Sequence, residues 1–153
     1  MKRLRMLTLL LVPLLLTTAC GSKPREVSKA RYQQELNRLG TTLTAAGSEL
    51  GKSIDIATFN GNVDKFRAAL DKAAHELDGL KPPENVRGDN QRLAQSFRAL
   101  ADELEPVKEA RRQSIVKARD ALGKVARSSA IRDGRAAIRD IKKKGYDVGP
   151  LSL

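Results

Sequence analysis

The stretch VDKFRAALDKAAHELDGL, residues 63–80, carries an apolar side chain at every third or fourth position. Side chains at this spacing share one face of an α-helix, so the stretch predicts an amphipathic helix with one buried stripe. Gly79 and Pro82-Pro83 indicate where this helix ends, and Asn60-Gly61-Asn62 indicates a turn before it begins. The stripe consists of Val63, Phe66, Leu70, Ala73, Leu77 and Leu80.

The same spacing recurs on both sides of this stretch. Because the connection around Pro82-Pro83 is short, the helix that follows it is expected to return antiparallel. Pro106 is expected to break or kink that following helix. The flanking stripes are Tyr32, Leu36, Leu39, Leu43, Ala46 and Leu50 before the stretch, then Val86, Leu93, Phe97, Leu100, Leu104 and Val107, and finally Val107, Ile115, Ala118, Leu122 and Val125 on a fourth element.

After Ser128-Ser129 the apolar residues would lie on a different side of a continuous helix. With about 100° of rotation per residue, the later isoleucines do not fall on the stripe that precedes them. A kink or a new short helix is therefore expected there, ending near Lys142-Lys143-Lys144 and Gly145. The sequence has no run with the alternating pattern of a β-strand. It predicts an all-α fold: an up-and-down bundle of about four helices with a basic C-terminal helical extension.

The beginning of the chain has the order of a secretory signal. After a basic start, residues 7–16 contain eight apolar residues in ten, and Thr17-Thr18-Ala19-Cys20 follows. This segment resembles the lipobox of bacterial lipoproteins, although that family prefers leucine where this chain has Thr17. The resemblance covers residues 1–21. It implies cleavage after Ala19, a diacylglycerol on Cys20, and a lipid-anchored location on the extracytoplasmic face of the cell membrane.

Two other interpretations of this segment stay open, a plain cleaved signal and an uncleaved anchor. The uncharged run, residues 6–22, has 17 residues and contains Pro13, whereas a spanning helix needs about 20 apolar residues. A plain signal would leave Cys20, the only cysteine of the chain, as a lone thiol in an oxidising compartment. Lipidation is the favoured interpretation.

The basic residues are concentrated near the C-terminus. Residues 20–107 hold 13 basic and 13 acidic side chains, whereas residues 108–144 hold 13 basic and 4 acidic ones. With no Trp and few other aromatic residues, the chain has little surface for stacking bases or sugars. The expected divisions are a lipoprotein signal peptide at residues 1–19, a lipidated tether at 20–27, a helical bundle domain at 28–144 and a C-terminal tail at 145–153.

A cationic stripe with spacings of three and four runs along the C-terminal helix, roughly opposite its isoleucines. A basic amphipathic helix of this kind is typical of binding to an anionic surface or partner. Because export would exclude nucleic acid, the expected partners are anionic lipid, a cell-wall polymer or an acidic envelope protein. A solvated outer face is the alternative. The candidate binding residues are Arg132, Arg135, Arg139, Lys142 and Lys143.

No complete catalytic or metal-binding motif is found in the sequence. Gly47 to Ser53 has one residue too few between its glycines for a phosphate loop, and Ser114 to Lys117 lacks the partner motifs of penicillin-interacting enzymes. His75 is the only histidine, and the carboxylates at residues 102–109 lack the Glu-x-x-His of di-iron bundles. No catalytic residue, metal or cofactor is expected.

The sequence therefore favours a non-enzymatic, lipid-anchored helical module of the bacterial cell envelope. It would bind a protein partner or an anionic surface through its basic C-terminal helix. The alternative is a small-ligand-binding or sensing lipoprotein associated with a transporter, in which Gly40, Ala46, Gly47 and Ala73 leave room for the ligand. A hydrolase that uses only Asp and Glu ranks last, because isolated carboxylates on solvated helices have no environment that shifts their pKa.

Overall fold

The structure, a computed structural model, describes residues 26–53 and 55–151. These residues form six α-helices and one 3-10 turn, Glu84–Val86, and no strand. The predicted all-α bundle is confirmed. The helices are α1 (Lys29–Gly51), α2 (Ile56–Gly79), α3 (Arg87–Glu103), α4 (Glu105–Gln113), α5 (Ile115–Val125) and α6 (Ser129–Lys143).

Neighbouring helices of the bundle run antiparallel. Side chains near the end of one helix meet the beginning of the next, both between α1 and α2 and between α2 and α3. In the same way, the end of α6 lies beside the beginning of α3. The contacts that define these directions are Asn62–Glu49 and Arg38–Glu76, then Asn90–Leu77 and Arg67–Ala101, then Arg92–Asp140 and Lys144–Asp89.

The turn between α1 and α2 precedes the predicted one. Asn60-Gly61-Asn62 lies inside α2, so its assignment to a turn was wrong. The helix begins earlier because the Asp55 carboxylate accepts a hydrogen bond from the Thr58 N–H at 2.8 Å, which caps its first turn. Asn62 is buried and donates to the Glu49 carbonyl at 2.9 Å, near the end of α1.

The fourth predicted element is two helices. The break expected from Pro106 is confirmed at Leu104, between α3 and α4. Ser114 then ends α4 and caps α5, since its hydroxyl accepts from the Lys117 N–H at 3.1 Å. Ile115 was predicted on the buried stripe, but it is 58% exposed. That placement was wrong because the break at Ser114 resets the helical phase.

The new helix expected after Ser128-Ser129 is confirmed as α6, and it ends as predicted. Gly145 adopts a φ of 81°, a left-handed conformation that favours glycine. The Tyr146 N–H then reaches back to the Ile141 carbonyl at 3.3 Å. This reversal directs residues 146–151 across the bundle to α1.

The predicted C-terminal tail is described to Leu151, and it forms part of the core. Its apolar side chains Tyr146, Val148 and Leu151 are buried. A β-carbon placed on Gly40 would lie 2.5 Å from the backbone nitrogen of Leu151, so the glycine admits the tail. A β-carbon on Gly47 would meet the Phe66 ring at 3.6 Å. The room that the sequence suggested for a ligand at these two glycines is therefore occupied by the protein itself.

The hydrophobic core of the described residues extends from Val27 to Leu151. A fragment of residues 22–153 therefore retains all of it. The predicted signal peptide, Cys20 and the tether as far as residue 25 lie outside the described residues.

Candidate functional site

The cationic stripe of α6 faces solvent along the whole helix. The adjoining face, which carries all three isoleucines, is buried in the core. Because the bundle occupies the apolar face, α6 offers its environment a charged surface and no free apolar one. All five predicted binding residues are exposed: Arg132, Arg135, Arg139, Lys142 and Lys143.

The two carboxylates of α6 lie away from the stripe. With about 100° of rotation per residue, Asp133 and Asp140 fall together on one flank of the helix. Asp140 accepts a hydrogen bond from Arg92 of α3 at 2.8 Å and lies 3.9 Å from Lys143. Within the described residues, Arg139 and Lys142 have no ion pair. The positive charges of Arg139 and Lys142 are therefore not compensated by a carboxylate of the described residues.

The end of α6 is fastened to the beginning of α3 by a buried carboxylate. Asp89 is 5% exposed, and Lys144 donates to its Oδ2 at 2.6 Å while Arg92 donates to its Oδ1. Burial alone would raise the pKa of Asp89, but the hydrogen bonds from Lys144 and Arg92 together outweigh it and hold the pKa below its ordinary value. This contact fixes where the last turn of α6 lies.

Replacing Asp89 with asparagine is expected to reduce stability in a pH-dependent way. Because the folded pKa lies below the unfolded value of about 3.9, the carboxylate stabilises the fold above that pH, and this stabilisation disappears as pH falls through the folded pKa. The Asp89→Asn variant should lose about 1–2 kcal/mol at pH 7, and this loss should shrink as the pH falls from 7 through the folded pKa of Asp89. Urea unfolding across this range measures the difference.

Asp133→Asn is the matched control, since Asp133 is exposed and has no ion pair in the described part of the chain. It should change the unfolding free energy by less than about 0.5 kcal/mol at every pH. Equal pH profiles for the two variants would contradict the proposed fastening.

The beginning of α1 lies at the same end of the bundle as the last turn of α6. Lys29 Nζ is 5.1 Å from the centre of the Tyr146 ring, and the Tyr32 and Tyr146 rings meet edge to face at 5.6 Å. Val27 donates its N–H to the Lys81 carbonyl at 2.8 Å, so the chain entering α1 is also held there. Sequence reasoning missed this proximity because it depends on the path of the tail.

A second feature, a groove of about 620 Å³, lies between α4 and α5. Five of its ten lining residues are apolar, and the other five are Glu103, Lys117, Asp120, Lys124 and Ser128. The Oε2 atom of Glu103 is buried and has no hydrogen-bond partner within the described residues. The sequence marked Glu103 only as one of several clustered carboxylates, and nothing in its spacing distinguished it.

The other charged groups singled out by the sequence are dispersed. Among the carboxylates at residues 102–109, Glu109 pairs with Arg112. Glu105 pairs with Arg67 and with Lys108. The described residues bring no three His, Cys, Asp or Glu side chains together in an arrangement suited to a metal.

Comparisons with family models, curated proteins and solved structures find no match to this chain. Among residues 26–53 and 55–151, none of the helices combines the length and apolar character required to cross a bilayer.

Proposed function

We propose that this protein is a lipid-anchored, non-enzymatic helical module of the bacterial cell envelope that binds an anionic membrane surface through α6. The observation that carries the proposal is the position of the last turn of α6 beside the beginning of α1. A lipid on Cys20 and the cations of α6 would then approach the same bilayer.

The length of the tether supports this arrangement. Residues 20–27 extend over at most about 25 Å, at about 3.5 Å per residue. Lys142 and Lys143 are exposed at the end of α6, next to the point where the tether would enter the bundle. A surface reached by the lipid is therefore within reach of these two cations.

The contact would be electrostatic, with no insertion of α6. Ile131, Ile138 and Ile141 are buried in the bundle and are not available to enter the acyl region. Each Lys or Arg near an anionic membrane contributes about 1 kcal/mol, which decreases over a Debye length of about 10 Å. Because two acyl chains already hold a protein stably, the stripe would mainly orient the bundle.

Flotation with anionic vesicles tests the role of α6. The unacylated fragment 22–153 is expected to bind vesicles containing phosphatidylglycerol and to dissociate as salt rises. Replacing the four stripe residues with glutamine should lower the partition coefficient by more than about tenfold, because these cations act together at one surface. The substituted residues are Arg132, Arg135, Arg139 and Lys142.

A second quadruple variant removes the same charge from other surfaces. It replaces Lys52, Lys65, Lys72 and Arg112, which are exposed on other parts of the bundle. The partition coefficient of this control should fall by less than about threefold, because the control has the same net charge as the stripe variant but keeps the stripe. Equal losses in the two variants would show a response to net charge alone and would contradict the proposal.

The anchor is tested separately in cells with a clickable fatty acid. The native protein should take up the label and sediment with membranes, whereas Cys20→Ser should do neither. An unlabelled native protein in the cytosolic fraction would exclude the envelope proposal.

A further inference from the structure

The end of the bundle at which α1 begins carries lysines from three separate segments. Lys29 is the first residue of α1, and a β-carbon on Gly145 would lie 3.6 Å from its Nζ atom, so this lysine lies beside the last turn of α6. Lys81 follows α2, and its carbonyl accepts a hydrogen bond from the Val27 N–H at 2.8 Å. The exposed lysines of this end, the end cluster, are Lys29, Lys81, Lys142 and Lys143.

The carboxylates of this end compensate the end cluster only in part. Three of its lysines have no ion pair in the described part of the chain, and the fourth, Lys143, lies 3.9 Å from Asp140. Glu26 is already paired with Arg87 at 2.8 Å. The exposed carboxylates of this end that lack an ion pair in the described residues are fewer than the lysines, namely Glu84 and Asp147. An excess of positive charge therefore remains.

Lys81 distinguishes this end from the cationic stripe of α6. Helix α3 packs against both α2 and α6, so Lys81 lies across α3 from the stripe, at least one helix diameter of about 10 Å away. Arg132 lies ten residues before Lys142, which is about 15 Å along α6 and exceeds a Debye length of about 10 Å. A membrane along the whole stripe would therefore not reach Lys81, whereas a membrane at the end of the bundle reaches the whole end cluster.

We propose that the bundle stands on this end, so that Lys29 and Lys81 contact anionic lipid headgroups together with the last turn of α6. This inference rests on the proposed binding to an anionic membrane, and it adds two binding residues and an orientation. The tether of at most about 25 Å enters the bundle beside Lys81, so a lipid on Cys20 would hold this end nearest to the bilayer. Arg139 and Lys142, the part of the stripe nearest this end, would contact the membrane in either orientation.

Flotation of the fragment 22–153 with vesicles that contain phosphatidylglycerol tests the two added residues. The variant Lys29→Gln/Lys81→Gln should lower the partition coefficient by at least about fivefold, because both charges lie at the bilayer. The matched control Lys65→Gln/Lys117→Gln removes two exposed lysines near the other end of the bundle, at the beginning of α2 and of α5. This control should lower the partition coefficient by less than about twofold.

The variant Lys29→Arg/Lys81→Arg separates charge from structure. It keeps both positive charges, so it should bind vesicles as the native fragment does. A loss of binding equal to that of the glutamine variant would show that the two lysines act through the fold, and would overturn the inference.

A fluorescent label measures the orientation directly. The only cysteine of the chain, Cys20, lies outside the fragment, so one introduced cysteine gives one labelled site. Gly88 and Gly61 are exposed helical residues at which a β-carbon would meet no atom within 4 Å. Gly88 lies at the beginning of α3, at the end that carries the end cluster, whereas Gly61 lies about 27 Å along α2 from Gly79. With a quencher on the lipid headgroups, a label on Gly88→Cys should be quenched strongly and one on Gly61→Cys only weakly.

The inference and the proposed function fail in different ways. A native fragment that does not float with anionic vesicles would overturn both. If Lys29→Gln/Lys81→Gln binds as well as its matched control while the quadruple variant of α6 binds weakly, the membrane contact of α6 stands and the end-on orientation is wrong. Equal quenching of the two labels would also overturn the orientation.

Discussion

Replacing Gly40 with alanine is expected to lower the free energy of unfolding by about 2–4 kcal/mol, although alanine is the better helix former by about 1 kcal/mol. The new β-carbon would lie 2.5 Å from the Leu151 nitrogen and 3.0 Å from the Pro150 carbonyl carbon. These are backbone atoms, so no rotation of a side chain relieves the overlap. The tail must move away, and Leu151 and Val148 lose burial.

Gly61→Ala is the matched control for this variant. Gly61 lies in the interior of α2, and its β-carbon would meet no atom within 4 Å. The same substitution should therefore stabilise the protein there by about 0.5–1 kcal/mol. Urea unfolding of both variants should show changes in the free energy of unfolding that have opposite signs.

The near-ultraviolet circular dichroism spectrum reports the tail directly. The chain has two tyrosines and no tryptophan, and the Tyr32–Tyr146 ring pair forms only when the tail is docked. Gly40→Ala should weaken this signal while the far-ultraviolet helical signal persists. A Gly40→Ala protein as stable as Gly61→Ala would show that the tail is not part of the folded core.

Replacing Asn90 with alanine is expected to cost about 2–5 kcal/mol, since it leaves two buried polar groups without partners. Asn90 accepts a hydrogen bond from the Tyr32 hydroxyl at 3.1 Å and donates to the Leu77 carbonyl at 2.8 Å. The side chain therefore connects α1, α2 and α3 inside the core. Burial raises the pKa of Tyr32, so its hydroxyl stays protonated and remains a donor.

Asn85→Ala tests whether burial explains the large cost expected for Asn90→Ala. Asn85 also accepts a hydrogen bond from a tyrosine, the hydroxyl of Tyr146 at 2.9 Å, but it is exposed. Water replaces the lost acceptor there, so the cost should stay below about 1 kcal/mol. Equal destabilisation by the two variants, measured by urea unfolding, would contradict the role of Asn90 in the core.

The candidate surface on α6 follows from sequence periodicity. A rotation of about 100° per residue places the arginines and the isoleucines on different faces of one helix, and the structure buries the isoleucines and exposes the arginines. Periodicity did not predict the contact between Lys29 and the Tyr146 ring. It also did not predict the unpaired oxygen of Glu103. Each depends on which segments the fold brings together.

Local repetition in the sequence predicted that the chain is helical and located most of its apolar stripes, but it did not separate α4 from α5. Stripes such as Leu70 to Leu77 are apolar at a spacing that only a helix places on one side, and Gly145 after three lysines marks an end. These signals need no knowledge of the rest of the chain.

The tertiary structure alone decided which polar and small residues are buried. Asn62 lies within a turn signal, yet it is buried in a helix because its side chain pairs with the end of α1. Gly40 contacts a tail from the other end of the chain. Burial depends on distant segments that meet only after folding, whereas periodicity is a property of neighbouring residues.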